Sequence, residues 1–197
     1  GYQHRDVKPE NILLYNGETY LGDLGLVFDE KNPKNDIVNP SEALGPIYYR
    51  PPELDKFVQN KIFFDMKAVD VYEFAKTVWA FLTENKESFQ GSYDKTINPR
   101  AVLSDKIIKN FGNKGIVTLG DLDLFLIQAT SEARRRPTIE ECIIMLRNWL
   151  ENYNNVEMAR KQIIQSLGQE VPKISLPGQM IYFNENSDIN ELVDIIK

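Results

Sequence analysis

The chain has 197 residues, 42% of them apolar and 26% charged, with a formal net charge of -6. This is the length of one domain with apolar content enough for a real core, and the surplus of carboxylates excludes the broad basic patch that nucleic acid or an anionic membrane surface selects. No apolar run reaches the length of a membrane span, no signal peptide opens the chain, and the one cysteine, Cys142, has no partner for an internal disulfide, so a reducing, cytoplasmic setting is expected.

The first informative stretch is His4-Arg5-Asp6-Val7-Lys8-Pro9-Glu10-Asn11, running into the apolar Ile12-Leu13-Leu14. A carboxylate, a lysine two residues on and an amide five residues on, stiffened by a proline and emptying into a strand, suit phosphoryl transfer, where positioning and charge neutralisation do most of the work. The stretch resembles the catalytic loop of the eukaryotic-type protein kinases. The resemblance implies that Asp6 orients and deprotonates a substrate hydroxyl and that Lys8 neutralises charge on the phosphoryl group. It also implies that Asn11 supplies an oxygen ligand to Mg2+ bound with ATP. Lys8 points to serine/threonine rather than tyrosine substrates.

Ile12 to Tyr15 and Thr19 to Leu21 are strand-like runs joined through Asn16-Gly17, the pair that a type I′ hairpin turn requires. The hairpin delivers Asp23-Leu24-Gly25, which resembles the kinase Asp-Phe-Gly motif with leucine in place of phenylalanine. Asp23 is then the second expected magnesium ligand. From Leu26 to Arg50 the chain has no sustained period and reads as a long exposed loop. In the family it is the activation segment, closed here by Pro51-Pro52-Glu53.

Ser41 is the only aliphatic hydroxyl between Leu24 and Glu53, and the resemblance makes it the expected phosphosite, with Arg5 as the clamp for its phosphate. Tyr48 and Tyr49 stand behind it as candidates. Pro40-Ser41-Glu42 reads equally as a plain turn, or with Glu42 already carrying the negative charge. Pro46 departs from the family, which usually has a threonine hydroxyl there in contact with the catalytic aspartate and lysine.

Asp65 to Glu84 reads as a helix apolar nearly all round, hence buried. It resembles the central helix of the kinase C-terminal lobe, whose aspartate, here Asp70, accepts hydrogen bonds from the catalytic-loop backbone; alone, Asp70 reads equally as a charge favouring the helix dipole. A weaker helix is expected over Arg100 to Asn110, broken at Gly112 to Gly115. Thr118 with Asp121 is a capping pair for a helix to about Thr130, with Leu122, Phe125, Leu126 and Ala129 facing inward. Thr138 with Glu141 forms a capping box opening a helix whose apolar set is Ile143, Ile144, Leu146, Trp149 and Leu150. In Arg134-Arg135-Arg136, the first two are solvated, and the family role of Arg136 is to pair with Glu53.

The expected fold is mainly α with a small β-hairpin, a kinase-like C-terminal lobe over residues 1–153. Residues 154–197 form an extension of no recognisable motif and unknown role: a helix over Val156 to Leu167, a proline-broken linker over Val171 to Gly178, a strand at Met180 to Phe183 and a short helix over Ile189 to Ile196, read either as a brace on the lobe or as a lead into a further domain. The chain enters the catalytic loop within three residues of Gly1, which reads as a cut. Nothing in it matches the Gly-rich phosphate loop, the strand lysine or its partner glutamate, which precede the catalytic loop in this family. Two functions follow: a serine/threonine protein kinase missing its N-terminal lobe, acting on a protein substrate, or a non-catalytic kinase-like binding module.

Overall fold

The computed structural model describes residues 1–32, 47–54, 67–94, 98–167, 175–176 and 179–180. Two compact units emerge, Gly1–Leu150 and Glu151–Lys197. The first begins with short strands. β1 (Tyr2–Gln3) pairs antiparallel with β4 (Phe28–Asp29). Between them β2 (Ile12–Tyr15) and β3 (Glu18–Leu21) form the hairpin, in register Ile12 to Leu21 and Tyr15 to Glu18. Asn16 and Gly17 both have positive φ, 52° and 81°, as a type I′ turn demands.

Among the described residues the longer helices are α1 (Lys67–Thr83), α2 (Asn98–Val117), α3 (Leu119–Ala129) and α4 (Ile139–Leu167). α1 is the hub. Its Val71, Ala75 and Trp79 meet Leu103 and Ile107 of α2, Leu122, Phe125 and Leu126 of α3, and Cys142 and Trp149 of α4 in one buried cluster. Aromatic edges lock it, Trp79 on Phe89 at 5.4 Å and Phe89 on Tyr93 at 5.5 Å, geometries that complement ring quadrupoles.

Several expectations change in detail. Phe81, on the outer side of α1, is 53% exposed. α2 breaks where expected: Gly112, at φ 65° and ψ -166°, is non-helical and kinks the chain, and helix resumes beyond it as far as Val117. That turn brings Gly115 so close to Ile107 that a Cβ there would stand 2.5 Å from the Ile107 side chain. Thr118 does not cap α3; its hydroxyl donates to the Gly115 carbonyl at 3.3 Å and accepts from Trp149 Nε1 at 3.2 Å, tying α3 to α4. The capping box on α4 forms as read, Thr138 N to Glu141 Oε2 at 2.7 Å and Glu141 N to Thr138 Oγ1 at 3.2 Å.

In α4 the inward stripe is Cys142, Met145, Leu146 and Trp149, whereas Ile143, Ile144 and Leu150 face outward. The helix does not pause at Tyr153 either, because no glycine or proline interrupts the chain between Pro137 and Gly168. In the second unit β5 (Ser175–Leu176) pairs with β6 (Gln179–Met180), the former inside the stretch read as linker. The expected strand beyond Met180 and the helix over Ile189 to Ile196 lie outside the described residues.

α1 also buries Lys76, whose Nζ donates to the Phe89 carbonyl and sits 3.7 Å from the Phe89 ring centroid and 5.1 Å from that of Tyr72. Burial pushes its ammonium from the ordinary 10.5 down to about 7. Above that pH the folded lysine sheds its proton while the unfolded one keeps it, so the contribution of this site to stability rises with pH from about 7 to 10.5. Lys76→Met is expected to flatten that rise, as urea unfolding midpoints measured across pH 7 to 10 will show.

Candidate active site

A 3-10 turn over Pro9–Asn11 ends the loop before β2, closed by Asn11 N donating to the Lys8 carbonyl at 3.0 Å. Pro9 presets the φ that the turn needs and spends no donor on it. Upstream, Arg5 adopts a left-handed φ of 67°, which costs a non-glycine residue energy unless its surroundings over-determine it. They do: the Asp70 carboxylate in the first turn of α1 accepts from His4 N at 2.8 Å and Arg5 N at 2.7 Å. Burial pushes the Asp70 carboxyl up, and those two amides pull it partly back.

The turn folds Lys8 and Asn11 back onto Asp6. Asp6 Oδ2 receives Lys8 Nζ at 2.6 Å and Asn11 Nδ2 at 3.1 Å, and the same amide nitrogen donates to the Asp6 carbonyl at 2.7 Å. Asp6 Oδ1 is buried with no hydrogen-bond partner among the described residues. His4 Nε2 donates to the Gly22 carbonyl at 3.0 Å and Gly22 N to the Asn11 carbonyl at 2.7 Å. Asp23 thus follows directly on a residue bonded to both ends of the loop. Its backbone is left-handed (φ 56°, ψ 72°), and its exposed carboxylate meets only Gly25 N, at 3.4 Å, among the bonds to described residues.

The Arg5 guanidinium carbon lies 4.4 Å from the centroid of the Phe28 ring, joining the loop to β4 by a cation–π contact. Ser41 and Pro46 lie outside the described residues. Tyr49 is corrected as a phosphate acceptor: it is buried, and its hydroxyl donates to the Lys86 carbonyl at 2.8 Å. Burial pushes that hydroxyl up to about 12. Arg136, 1% exposed, bonds Glu53 Oε1 through Nη1, reaches the Ala68 and Ser131 carbonyls at 2.7 and 2.8 Å, and lies over the Tyr72 ring at 4.7 Å. Arg134 and Arg135 are exposed.

A model of the protein kinase domain matches residues 1–166. The chain belongs to the protein kinase family. This kinase chain is 35% identical over 79 residues to activin receptor type-1 of Gallus gallus, a stretch covering 39% of the chain and 16% of the receptor. It is 44% identical over 52 residues to serine/threonine-protein kinase SSN3 of Coccidioides immitis (strain RS), 26% of the chain and 11% of that kinase. A putative mitogen-activated protein kinase kinase kinase 7-like protein of Drosophila melanogaster is 37% identical over 82 residues, 41% and 18% respectively. The chain therefore spans less than a fifth of the length of these relatives.

Kinase-family membership implies ATP, magnesium and protein substrates in general terms. The residues present fit the metal. Because both acceptors on Asp6 face Asn11 Nδ2, the Asn11 amide oxygen is the atom left to bind. It and the Asp23 carboxylate are hard oxygen donors. Mg2+ characteristically takes one or two such protein groups and completes its shell with phosphates and water.

One residue near the loop escapes a sequence reading. Glu73, 1% exposed, accepts from Val7 N through Oε2 at 2.8 Å; its only signal is an acid in the middle of a helix apolar on every side.

Arg136→Ala removes one partner of a buried ion pair and strands two carbonyls. It is expected to cost on the order of 3 to 5 kcal/mol in urea unfolding, and Arg136→Lys to recover only part of this, since an ammonium lacks the fork that serves three acceptors.

Proposed function

We propose that the chain is the C-terminal lobe of a serine/threonine protein kinase that moves the γ-phosphoryl group of ATP to a protein hydroxyl. The observation that carries this reading is the state of Asp6: one carboxylate oxygen is held by Lys8 and Asn11, and the other is buried with no donor among the described residues. A buried acceptor without a donor is costly unless something fills it, and a substrate hydroxyl is the donor that fits the family's chemistry.

In this reading the substrate hydroxyl donates to Asp6 Oδ1 while its oxygen bonds the γ-phosphorus. The bond from that phosphorus to the bridging oxygen of ADP breaks, and the hydroxyl proton passes to Asp6. Lys8, already within 2.6 Å of Asp6, neutralises charge on the phosphoryl group in transit. Asn11 and Asp23 hold magnesium, which when bound neutralises the phosphates. Asp70, Glu53 and Arg136 hold the framework, and Arg5 serves a phosphate on Ser41.

Residues 1–153 are assigned to the lobe and 154–197 to a C-terminal extension. A missing N-terminal lobe supplies the rest of the nucleotide clamp. The apolar side chains exposed here support this, Leu14 and Tyr15 on the hairpin and Leu24 just after it being 75%, 66% and 68% exposed, because such a group in one place marks a surface that is normally covered. No described helix is long and apolar enough to cross a membrane, and the buried free thiol of Cys142 suits a reducing, cytoplasmic setting.

In the protein as its native source produces it, Asp6→Asn is expected to lower turnover about a hundredfold or more while the unfolding curve stays in place; an unchanged rate would remove Asp6 from the chemistry. Asp23→Ala is expected to abolish magnesium-dependent ATP binding by calorimetry, and retained binding would remove the metal assignment. A complete lack of phosphotransfer by the unsubstituted protein would move the reading to a binding module.

A further inference from the structure

The peptide plane between Asp6 and Val7 is gripped at both poles. Its carbonyl accepts from Asn11 Nδ2 at 2.7 Å, and its N–H donates to Glu73 Oε2 at 2.8 Å. Holding this plane fixes ψ of Asp6, one of the two backbone torsions that direct its Cα–Cβ bond, and a large change in that torsion would break both bonds. Glu73 arrives from the middle of α1, one turn after Asp70, which holds the two preceding amides. Thr77, one further turn on, has its hydroxyl 3.2 Å from the Val7 carbonyl. One face of one helix therefore holds the backbone from His4 to Val7.

We propose that Glu73 is a positioning residue for phosphoryl transfer, its carboxyl group fixing the Asp6–Val7 peptide plane and through it the direction in which the Asp6 carboxylate points. The inference rests on the kinase reading above.

Helix stability does not call for an acid here. An apolar side chain would fill the slot without the desolvation that a carboxyl suffers, and Glu73 Oε1 finds no partner among the described residues. Glu73 also makes no ion pair with Lys76, three residues on, whose ammonium is turned to the Phe89 carbonyl. Burial, reinforced by the neighbouring charges of Asp70 and Asp6, raises its carboxyl well above the usual range, with the Val7 amide pulling the other way. These surroundings favour its uncharged form. An uncharged acceptor grips the Val7 amide without adding a third negative charge beside Asp6 and Asp70, and glutamine would do the same.

The test compares two variants in the native-length protein by steady-state kinetics and amide hydrogen exchange. Glu73→Leu removes the acceptor; kcat is expected to fall about tenfold or more with KM for ATP unchanged within about twofold, since misplacing a reacting group costs rate rather than nucleotide affinity. The Val7 amide is expected to exchange faster while Leu122 and Phe125 in α3 keep their protection. Glu73→Gln is expected to hold kcat within about threefold of the parent with Val7 still protected. An unchanged kcat and Val7 exchange rate in the leucine variant would overturn the proposal. So would a glutamine variant that loses turnover with Val7 protected, and this second arm decides the matter if the leucine variant does not fold. If the unsubstituted protein transfers no phosphate, the kinase reading fails, and the Val7 exchange rate in the variants still decides whether Glu73 holds the loop.

Discussion

The Asp70 carboxylate is the constraint on which the site depends. Arg5 sits in a left-handed backbone conformation that a side chain with a Cβ does not choose, and it stays there because Asp70 takes the amides of His4 and Arg5 together. From that strained pair the rest follows. His4 is turned so that its ring reaches the Gly22 carbonyl, Gly22 in turn bonds Asn11, and Asn11 closes on Asp6. Residues far apart in the chain become one rigid constellation because a single partly buried carboxylate, planted in the first turn of the central helix, has two oxygens and uses both.

The same helix carries two more ionisable groups out of water, and their preferences oppose each other. Glu73 favours its protonated form and Lys76 its deprotonated form, both chiefly because burial penalises charge. The Glu73 contribution to stability declines as pH rises through its titration, since the folded acid holds its proton longer than the unfolded one. The Lys76 contribution grows from about pH 7 upward. Each is secured by a backbone group: Val7 N for Glu73, the Phe89 carbonyl for Lys76.

The loop from His4 to Asn11 was legible because the family pattern it resembles sets residue types at short fixed spacings, and such spacings survive any uncertainty in tertiary packing. The hairpin was legible because Asn16-Gly17 leaves the backbone few alternatives, and the Thr138–Glu141 box because its two bonds are local. What stayed hidden depends on neighbours distant in sequence. Cys142 to Leu146 is an unbroken apolar run, so its pattern cannot say which edge turns inward; contact with α1 and α3 decides for Cys142 and Met145 over Ile143 and Ile144. Thr118 looked like a local cap and is instead a bridge to Trp149, thirty-one residues away. Glu73 and Lys76 were obscured by the general habit of charges to face water, and Tyr49 gave no sign that its hydroxyl was already taken by Lys86.

The kink in α2 bears on how this fold could be made sturdier. Exchanging helical glycine for alanine is a common route to stability, worth about 0.5 to 1 kcal/mol where the backbone permits it. Three glycines here respond differently. Gly112 holds a positive φ, and any side chain at Gly115 would be driven into Ile107 and Phe111, so both are closed to the exchange. Gly120, in the first turn of α3, has nothing within 4 Å of where a Cβ would go. An engineer choosing among them by helix membership alone would be wrong twice in three attempts, because one of these glycines makes the kink in α2 and another lies where its neighbours leave no room for a side chain.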